Sequence, residues 1–195
     1  MKVIYIRDSG SKGYLRIGLS DGDKKYDLTV SESEYREAGA LLVGDAVNET
    51  VYEMLTLADT RYRSRLYALR MLAYADNNEK SITRKLVARS IPFSIATETA
   101  REMVSLGYVN EHNQLAKIIC EEVNRKLTGP NKLRPKLMAK GYKSSDIDAV
   151  IDELITDGEI DFQLSKERLI EKKLSRGATK EEKNKLLYKN GYEIC

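Results

Sequence analysis

The chain has 195 residues, of which 32% are charged and 7% aromatic, and its net charge is +3. This composition is typical of a soluble, mostly helical protein with a small core. The uncharged apolar runs, such as residues 3–6 and 41–43, are far too short to span a membrane, and the first ten residues lack the long apolar segment of a secretory signal. Cys120 and Cys195 give no disulfide framework. We therefore expect a cytoplasmic, monomeric protein with no membrane partner.

The sequence lacks the residue patterns on which enzymatic sites are built. Its one histidine, His112, lies in the polar stretch NEHNQ, where we expect a loop or the start of a helix. Glycine-rich phosphate loops and spaced His/Cys metal motifs do not occur in it. Cys120 falls on an apolar helical stripe with Ile119 and Val123, so we expect it to pack in a core. These observations predict no enzymatic activity, no cofactor and no metal.

Charge is distributed unevenly along the chain. Residues 1–60 carry seven basic and eleven acidic side chains, whereas residues 61–195 carry 26 basic and 19 acidic ones. The asymmetry predicts two modules, of which the larger is biased toward an anionic partner.

Residues 1–58 are predicted to form a small β-meander followed by a helix. Three runs rich in Tyr, Ile, Leu and Val are predicted strands: residues 2–7, 14–19 and 25–30. The second and third alternate between apolar and polar residues, which indicates one buried face. Asp21-Gly22 predicts a hairpin between the second and third strands. Ser31 and Glu34 have the spacing of a capping box, and the helix that they start should end near Leu42. We expect this helix to cover the sheet, because three strands alone are not stable.

The rest of the chain contains an internal repeat. When the sequence is shifted by 51 positions, residues 85–109 align without a gap on residues 136–160, and six of the 25 residues are identical. Stacked helical units commonly produce repeats near this length. We predict repeat 1 at residues 59–110, repeat 2 at 111–161 and repeat 3 at 162–195. The predicted fold class is therefore mainly α, with tandem three-helix repeats in an elongated curved array, a truncated third repeat and the N-terminal β-meander plus helix.

Repeat 2 shows the helix pattern most clearly. We expect Asn131 to cap its second helix, because Pro135 is tolerated only near a helix start, and Gly141 to end that helix. Ser145 and Asp148 predict a capping box for the third helix. The apolar face of that helix recurs with helical spacing at Ile147, Val150, Ile151, Leu154 and Ile155.

Four stretches of the repeats carry a family resemblance. They are residues 69–86, the turn GYVNE at 107–111, residues 115–125 and the segment GPNKL at 129–133 that continues to KGY at 140–142. The pattern resembles the RecX family, small regulators of the bacterial RecA recombinase, over about residues 61–192. The chain departs from it where ADNN at 75–78 replaces a basic segment, where Ser81 replaces Glu and where Leu115 replaces Phe. The resemblance implies a regulator that lies in the groove of the RecA–DNA filament and reduces RecA ATPase, strand exchange and co-protease activity.

Basic residues of the first two repeats are the candidate filament- or DNA-binding residues. Lys132, Lys136 and Lys140 recur every four positions, so they share one helix face. The full candidate set is Arg84, Lys85, Arg89, Arg125, Lys126, Lys132, Arg134, Lys136 and Lys140. A smaller third set comprises Lys172, Lys173 and Arg176. The alternative for all of them is a solvated helix surface.

Two other functions remain open from the sequence. A helical DNA-binding module acting directly on DNA is one of them, since helix–turn–helix units with basic faces also bind duplexes. The other is a protein-interaction scaffold without any nucleic acid. Salt-sensitive DNA binding would distinguish the DNA-binding module both from the scaffold and from the RecA regulator.

Overall fold

The computed structural model describes residues 1–175 and 177–194; Arg176 and Cys195 lie outside the described residues. Its strands are β1 (Lys2–Asp8), β2 (Tyr14–Asp21) and β3 (Lys24–Ser31). Its helices are α1 (Glu32–Glu37), α2 (Glu49–Tyr74), α3 (Glu79–Val87), α4 (Phe93–Ser105), α5 (Glu111–Cys120), α6 (Pro130–Lys140), α7 (Ser144–Thr156), α8 (Phe162–Lys173) and α9 (Lys180–Asn190). A π-helical turn, Glu121–Arg125, continues α5. The predicted fold class, mainly helical with a small N-terminal meander and helix, is confirmed.

The chain divides into two compact units. Unit 1 consists of Met1–Ala75 and Ile82–Ser105, and unit 2 consists of Asp76–Ser81 and Leu106–Cys195. Helix α2 runs from Glu49 to Tyr74 and so crosses the predicted boundary between residues 58 and 59. The division into a β module and three repeats at the predicted positions stays a prediction.

The N-terminal sheet has the order β1-β2-β3, and both strand pairs are antiparallel. The predicted hairpin is present, because Asp21 pairs with Lys24 across a turn in which Gly22 adopts a φ of +65°. The buried face carries Ile17 and Leu19 of β2, each with no exposed surface, as the alternation of the sequence predicts.

Helix α2 covers this sheet, so the prediction that α1 covers it is wrong. Leu55 and Ala58 of α2 are buried in the same cluster as Ile17 and Val30. By contrast, α1 has no fully buried residue and adds only the partly buried Tyr35 to this cluster. An eight-residue strand spans a length that six helical residues cannot match, whereas α2, with 26 residues, can.

Helix α1 is also shorter than predicted. The capping box between Ser31 and Glu34 is confirmed, but the helix ends at Glu37 and not near Leu42. Gly39 and Ala40 both have positive φ, at 99° and 48°, so the backbone leaves the right-handed helical region there.

The internal repeat is visible in the helix bounds. Helix α4 spans residues 93–105 and α7 spans 144–156, a shift of 51 positions at both ends. The starts of α3 and α6, and of α5 and α8, differ by the same amount. Leu86 and Leu137, paired by this shift, have no exposed surface, and Leu187 in α9 takes the corresponding place with 4% exposed. The three leucines anchor the same helix of three successive repeats.

The left-handed turn after that helix is repeated as well. Gly141 and Gly191 end α6 and α9 with φ of +106° and +83°. In repeat 1 the corresponding residue is Ser90, which adopts a φ of +63° without being glycine. The residues that follow, Tyr142 and Tyr192, are both buried.

Two capping predictions in repeat 2 are wrong. Helix α6 begins at Pro130 with Gly129 as its cap, and so Asn131 lies inside the helix rather than before it. Proline is favoured at the first helical position. The backbone N–H of that position has no partner within the helix, so proline loses no hydrogen bond by lacking it. Helix α7 has Lys143 at its cap position without a side-chain bond, and Ser145 bonds Asp146 instead of forming the predicted box with Asp148.

The core of repeat 2 follows the predicted apolar faces. Leu133 and Leu137 of α6 are fully buried, and the face of α7 is buried at Ile147, Val150, Ile151 and Leu154. Ile155 is the exception, with 47% of its surface exposed. Cys120 is half-buried against this core and donates its thiol hydrogen to Glu159. Burial, and to a smaller extent that hydrogen bond, raises the pKa of the Cys120 thiol. The thiol therefore stays protonated at neutral pH.

Candidate functional site

The candidate basic residues of repeat 2 lie on two adjacent segments of unit 2. Arg125 and Lys126 stand at the end of the π-helical turn, while the other four lie along α6: Lys132, Arg134, Lys136 and Lys140. All six have exposed side chains except Arg134, which is half-buried. The four-residue spacing predicted for Lys132, Lys136 and Lys140 falls entirely within α6.

A buried carboxylate organises part of this set. Glu122 is only 3% exposed, and its two oxygens accept hydrogen bonds from Lys126 at 2.8 Å and Lys136 at 2.7 Å. The hydroxyl of Thr128 donates to the same carboxylate at 3.2 Å. Burial by itself would raise the pKa of Glu122, but the two lysines outweigh it and hold the pKa below its ordinary value. The ionised carboxylate therefore fixes Lys126 and Lys136 to the fold.

Glu122 is a residue that the sequence analysis missed. Its spacing to Lys126 is that of an i, i+4 ion pair on a helix, which usually indicates a solvated face. Glu122 and Val123 are the two buried residues of the π-helical turn, in which each turn of helix takes up an extra residue. Nothing in the local sequence marks the extra residue by which a π-helical turn differs from an α-helical one.

The turn after this segment is strained. Leu127 has a φ of +55°, a left-handed conformation that costs a non-glycine residue about 1–2 kcal/mol. Its side chain is buried with Leu169, Leu187 and Tyr192, and this packing offsets the strain. The segment that contains Arg125 and Lys126 is thus held on both sides. Glu122 anchors it on one side, and Leu127, packed in the core of repeat 3, anchors it on the other.

The remaining basic residues of repeat 2 differ in their partners. Arg134 donates to Asp148 at 2.7 Å and so ties α6 to α7. Arg125 approaches Glu121 only at 3.7 Å, and 80% of its side chain is exposed. Within the described residues Lys132 bonds only a backbone carbonyl, that of Lys189, and Lys140 has no ion pair. Lys132 and Lys140 are therefore the two lysines of α6 with uncompensated charge.

The first-repeat candidates are exposed residues of unit 1. Arg84 and Lys85 lie in the last turn of α3, where positive charge interacts favourably with the helix dipole. Arg89 follows in the turn and places its guanidinium 4.9 Å from the ring centre of Tyr67. Of the smaller third set, Lys172 and Lys173 are exposed at the end of α8.

His112 lies at the start of α5, as the sequence predicts, and it is exposed. Its Nε2 is 2.7 Å from a carboxylate oxygen of Glu153 in α7. That hydrogen bond raises the pKa of His112. Among residues 1–175 and 177–194 no group of three or more His, Cys, Asp and Glu side chains could hold a metal ion. In the same residues no helix combines the length and the apolar character that crossing a membrane requires.

Comparison with known proteins identifies relatives over most of the chain. No family model matches it. The chain is 26% identical over 174 residues to "Regulatory protein RecX" of Clostridioides difficile (strain 630), covering 89% of this chain and 79% of that protein. It is 24% identical over 166 residues to "Regulatory protein RecX" of Listeria innocua serovar 6a, covering 85% of this chain and 61% of that longer protein.

The fold agrees with this similarity. A crystal structure of "regulatory protein RecX" matches 99% of this chain and 95% of its own with a TM-score of 0.73, at 23% sequence identity. The sequence similarity supports assignment to the RecX family, and the structural match shows that the fold is shared. The RecX relatives are named regulatory proteins, and the RecX fold accounts for the small N-terminal sheet as well as for the helices.

Proposed function

We propose that this chain is a non-enzymatic regulator of the RecA recombinase that acts in the cytoplasm by binding the RecA–DNA filament as a monomer. The observation that carries the proposal is the similarity, over more than four-fifths of the chain, to two proteins named "Regulatory protein RecX". The sequence stretches that resemble the RecX family also support it; they lie in α2, α3, α5 and α6 and in the turn before α5.

The proposed binding surface is the basic segment of repeat 2. Lys132 and Lys140 present uncompensated charge along one face of α6. Arg125, which precedes them in the chain, is largely exposed. Lys126, Arg134 and Lys136 are engaged by carboxylates, so we assign them mainly to holding that surface in shape. Bound in the filament, the chain would inhibit RecA ATPase, strand exchange and co-protease activity.

Co-sedimentation with RecA tests the proposal. The purified full chain should pellet with RecA assembled on DNA and a nucleotide, and should remain in the supernatant with RecA alone or with short DNA alone. Inhibition of RecA ATPase should follow the same concentration dependence. Equal sedimentation with and without DNA-assembled RecA, together with unchanged ATPase, would contradict the filament as the target.

Direct DNA binding is the second candidate function, and the uncompensated Lys132 and Lys140 favour it. It predicts that the chain binds duplex DNA in the absence of RecA and that affinity falls steeply with salt. A protein-interaction scaffold would bind neither DNA nor filament. ATP turnover by the purified chain that a point substitution abolishes would contradict the non-enzymatic part of the proposal.

A further inference from the structure

Two arginines face each other on the solvent side of the N-terminal sheet. Arg7 of β1 is directly opposite Arg16 of β2, and both side chains are exposed. Like charges in this position repel each other and destabilise a sheet. Neither arginine forms an ion pair within the described residues, so the structure itself does not offset that repulsion. Such an uncompensated pair indicates a role other than stability.

The neighbouring cross-strand row holds Arg7 in place. Tyr5, Gly18 and Asp27 are aligned across the three strands. The ring of Tyr5 lies over Gly18, where a Cβ would come within 2.3 Å of the ring, and its hydroxyl donates to Asp27. The guanidinium of Arg7 lies 4.6 Å from the centre of the same ring, within the range of a cation–π interaction. Gly18 therefore permits an arrangement in which Arg7 is ordered before any ligand binds.

A third row on the same face adds positive charge. Lys2 and Lys25 pair with Ser20 from either side, and both lysines are exposed. Because side chains two residues apart on a strand share a face, Ser20 lies on the side of Arg16. The lysine row is four residues from the arginine row along β2, or about 14 Å.

Two acidic groups lie near the arginine row, and both are engaged. Asp27 accepts the hydrogen bond of Tyr5. At the β3 end of the arginine row, Asp59 accepts a hydrogen bond from the backbone of Thr29 and pairs with Arg63 at 2.8 Å. The face thus carries a local positive charge on a segment, residues 1–60, that is acidic as a whole.

We propose that this face of the N-terminal sheet binds the phosphate backbone of nucleic acid. A single phosphate cannot reach both basic rows, whereas a nucleic acid strand presents a charge about every 3.4 Å and meets both. The planar guanidinium forks of Arg7 and Arg16 suit phosphate oxygens. Binding is independent of base sequence, because the ring of Tyr5 is occupied by Gly18 and Arg7 and is not free to stack on a base.

The inference does not depend on RecA, and it differs from the second candidate function because it places nucleic acid on the N-terminal sheet and not on Lys132 and Lys140 of α6. Fluorescence anisotropy with the full chain measures it, using a labelled 30-nucleotide poly-dT strand and a labelled 30-base-pair duplex at 50 mM salt. The variant Arg7→Gln/Arg16→Gln should bind at least about fivefold more weakly. Its log–log salt dependence should flatten by about 1.4 on the single strand and about 1.8 on the duplex, the amounts expected for two phosphate contacts.

The matched control is Lys12→Gln/Lys24→Gln. It removes the same charge from two exposed lysines, one in the β1–β2 turn and one opposite Asp21, which lie on neither row. Its affinity should stay within about twofold of the parent. Equal losses in the two variants would overturn the proposal, because they would show attraction to overall charge and not to this face.

Asp27→Asn provides a test that misfolding cannot imitate. The amide oxygen can still accept the hydrogen bond of Tyr5, while the negative charge is lost, so nucleic acid binding should tighten about two- to fivefold. Unchanged or weaker binding would count against the proposal. Binding of poly-glutamate is measured as well. If Arg7→Gln/Arg16→Gln binds DNA as the parent does but no longer binds poly-glutamate, the face recognises an acidic polypeptide, and the proposal is wrong.

Discussion

Glu122 determines how the basic segment of repeat 2 is held. It is the buried partner of both Lys126 and Lys136, and its pKa lies below the ordinary value. A group with a lowered folded-state pKa contributes stability that is present above its unfolded pKa and is lost as the pH falls through the folded pKa. The ion pairs of Glu122 with Lys126 and Lys136 therefore stabilise the fold at neutral pH and are lost when acid protonates the carboxylate.

Glu122→Gln should lower the free energy of unfolding by about 1–3 kcal/mol at pH 7, because two lysines lose a charged acceptor at a buried site. The difference between parent and variant should shrink below pH 4.5, the ordinary pKa of the carboxyl, as both side chains become neutral. Urea unfolding followed by circular dichroism at pH 7 and pH 3 measures both effects.

Glu121→Gln is the matched control for this measurement. Glu121 is the preceding residue, is exposed, and contacts Lys126 at 3.1 Å from the surface. Its loss should change the free energy of unfolding by less than about 0.5 kcal/mol. Equal effects of the two substitutions would show that burial of Glu122 has no energetic consequence.

His112 offers a second pH-dependent contact, on the surface. The hydrogen bond to Glu153 raises the pKa of His112, so the contact contributes stability below the unfolded pKa and loses it as the pH rises through the folded pKa. Titration of the imidazole by NMR should give a pKa above the ordinary value in the parent and a lower pKa in Glu153→Gln. Asp152→Asn, an exposed neighbour, should leave the titration unchanged; an identical His112 pKa in the parent and Glu153→Gln would refute the contact.

At the scale of elements, periodicity predicted more than local signals did. The alternation of β2 and the spacing of Ile147, Val150 and Ile151 in α7 both identify the buried faces correctly, because a buried face imposes its period on the whole element. The 51-residue shift correctly pairs Leu86 with Leu137. These features depend on many residues at once, so single exceptions do not obscure them.

Signals that depend on one or two residues were less reliable. Ser145 has the sequence of a cap but bonds Asp146, and Asn131 gives way to the Gly129-Pro130 start of α6. The length of α1 and the cover of the sheet by α2 are decided by packing among distant residues, which no local motif records. In the candidate site, the basic residues could be found from the sequence, but the buried carboxylate that holds two of them could not.

Leu137→Ala should cost about 2–5 kcal/mol of unfolding free energy, since Leu137 is fully buried at the repeated anchor position of α6. Met138→Ala changes the next residue, which has 50% of its surface exposed; it provides the control and should cost less than about 0.5 kcal/mol. Chemical denaturation of the full chain measures both. Similar costs for the two would place Leu137 outside the core.

Gly129 tests how repeat 2 holds repeat 3 within unit 2. Its N–H donates to the carbonyl of Asn190 at 2.8 Å, and an added Cβ would lie 2.4 Å from the backbone oxygen of Gly191. Gly129→Ala should therefore displace the end of α9 and cost about 1–3 kcal/mol. Hydrogen exchange should show the loss of protection in α9 first.

Gly177→Ala is the control, because an added Cβ there meets no atom within 4 Å and the substitution restricts the unfolded chain. It should be neutral or slightly stabilising. Unaltered protection of α9 in Gly129→Ala would show that the close backbone contact does not hold the third repeat.

At the scale of the whole molecule, the candidate basic residues are divided between the two compact units. Arg84, Lys85 and Arg89 belong to unit 1, and the six residues of repeat 2 belong to unit 2. The ion pairs of Lys126, Arg134 and Lys136 make these residues poor targets for charge reversal, because a new carboxylate at Lys136 would face buried Glu122. A test of the proposed filament contact should use Lys132 and Lys140 instead.

Lys132→Glu/Lys140→Glu should weaken regulation of RecA while leaving the fold intact, because both side chains are exposed and neither has a carboxylate partner among the described residues. Half-inhibition of RecA ATPase on DNA should need at least about threefold more protein, and binding should respond less to salt. The control Lys117→Glu/Arg168→Glu makes the same charge change at exposed positions of α5 and α8 and should inhibit as the parent does. If the α6 variant inhibits like the parent, the filament contact lies elsewhere, and Arg84, Lys85 and Arg89 become the residues to reverse. If the two variants lose inhibition equally, overall charge and not this helix face governs the interaction.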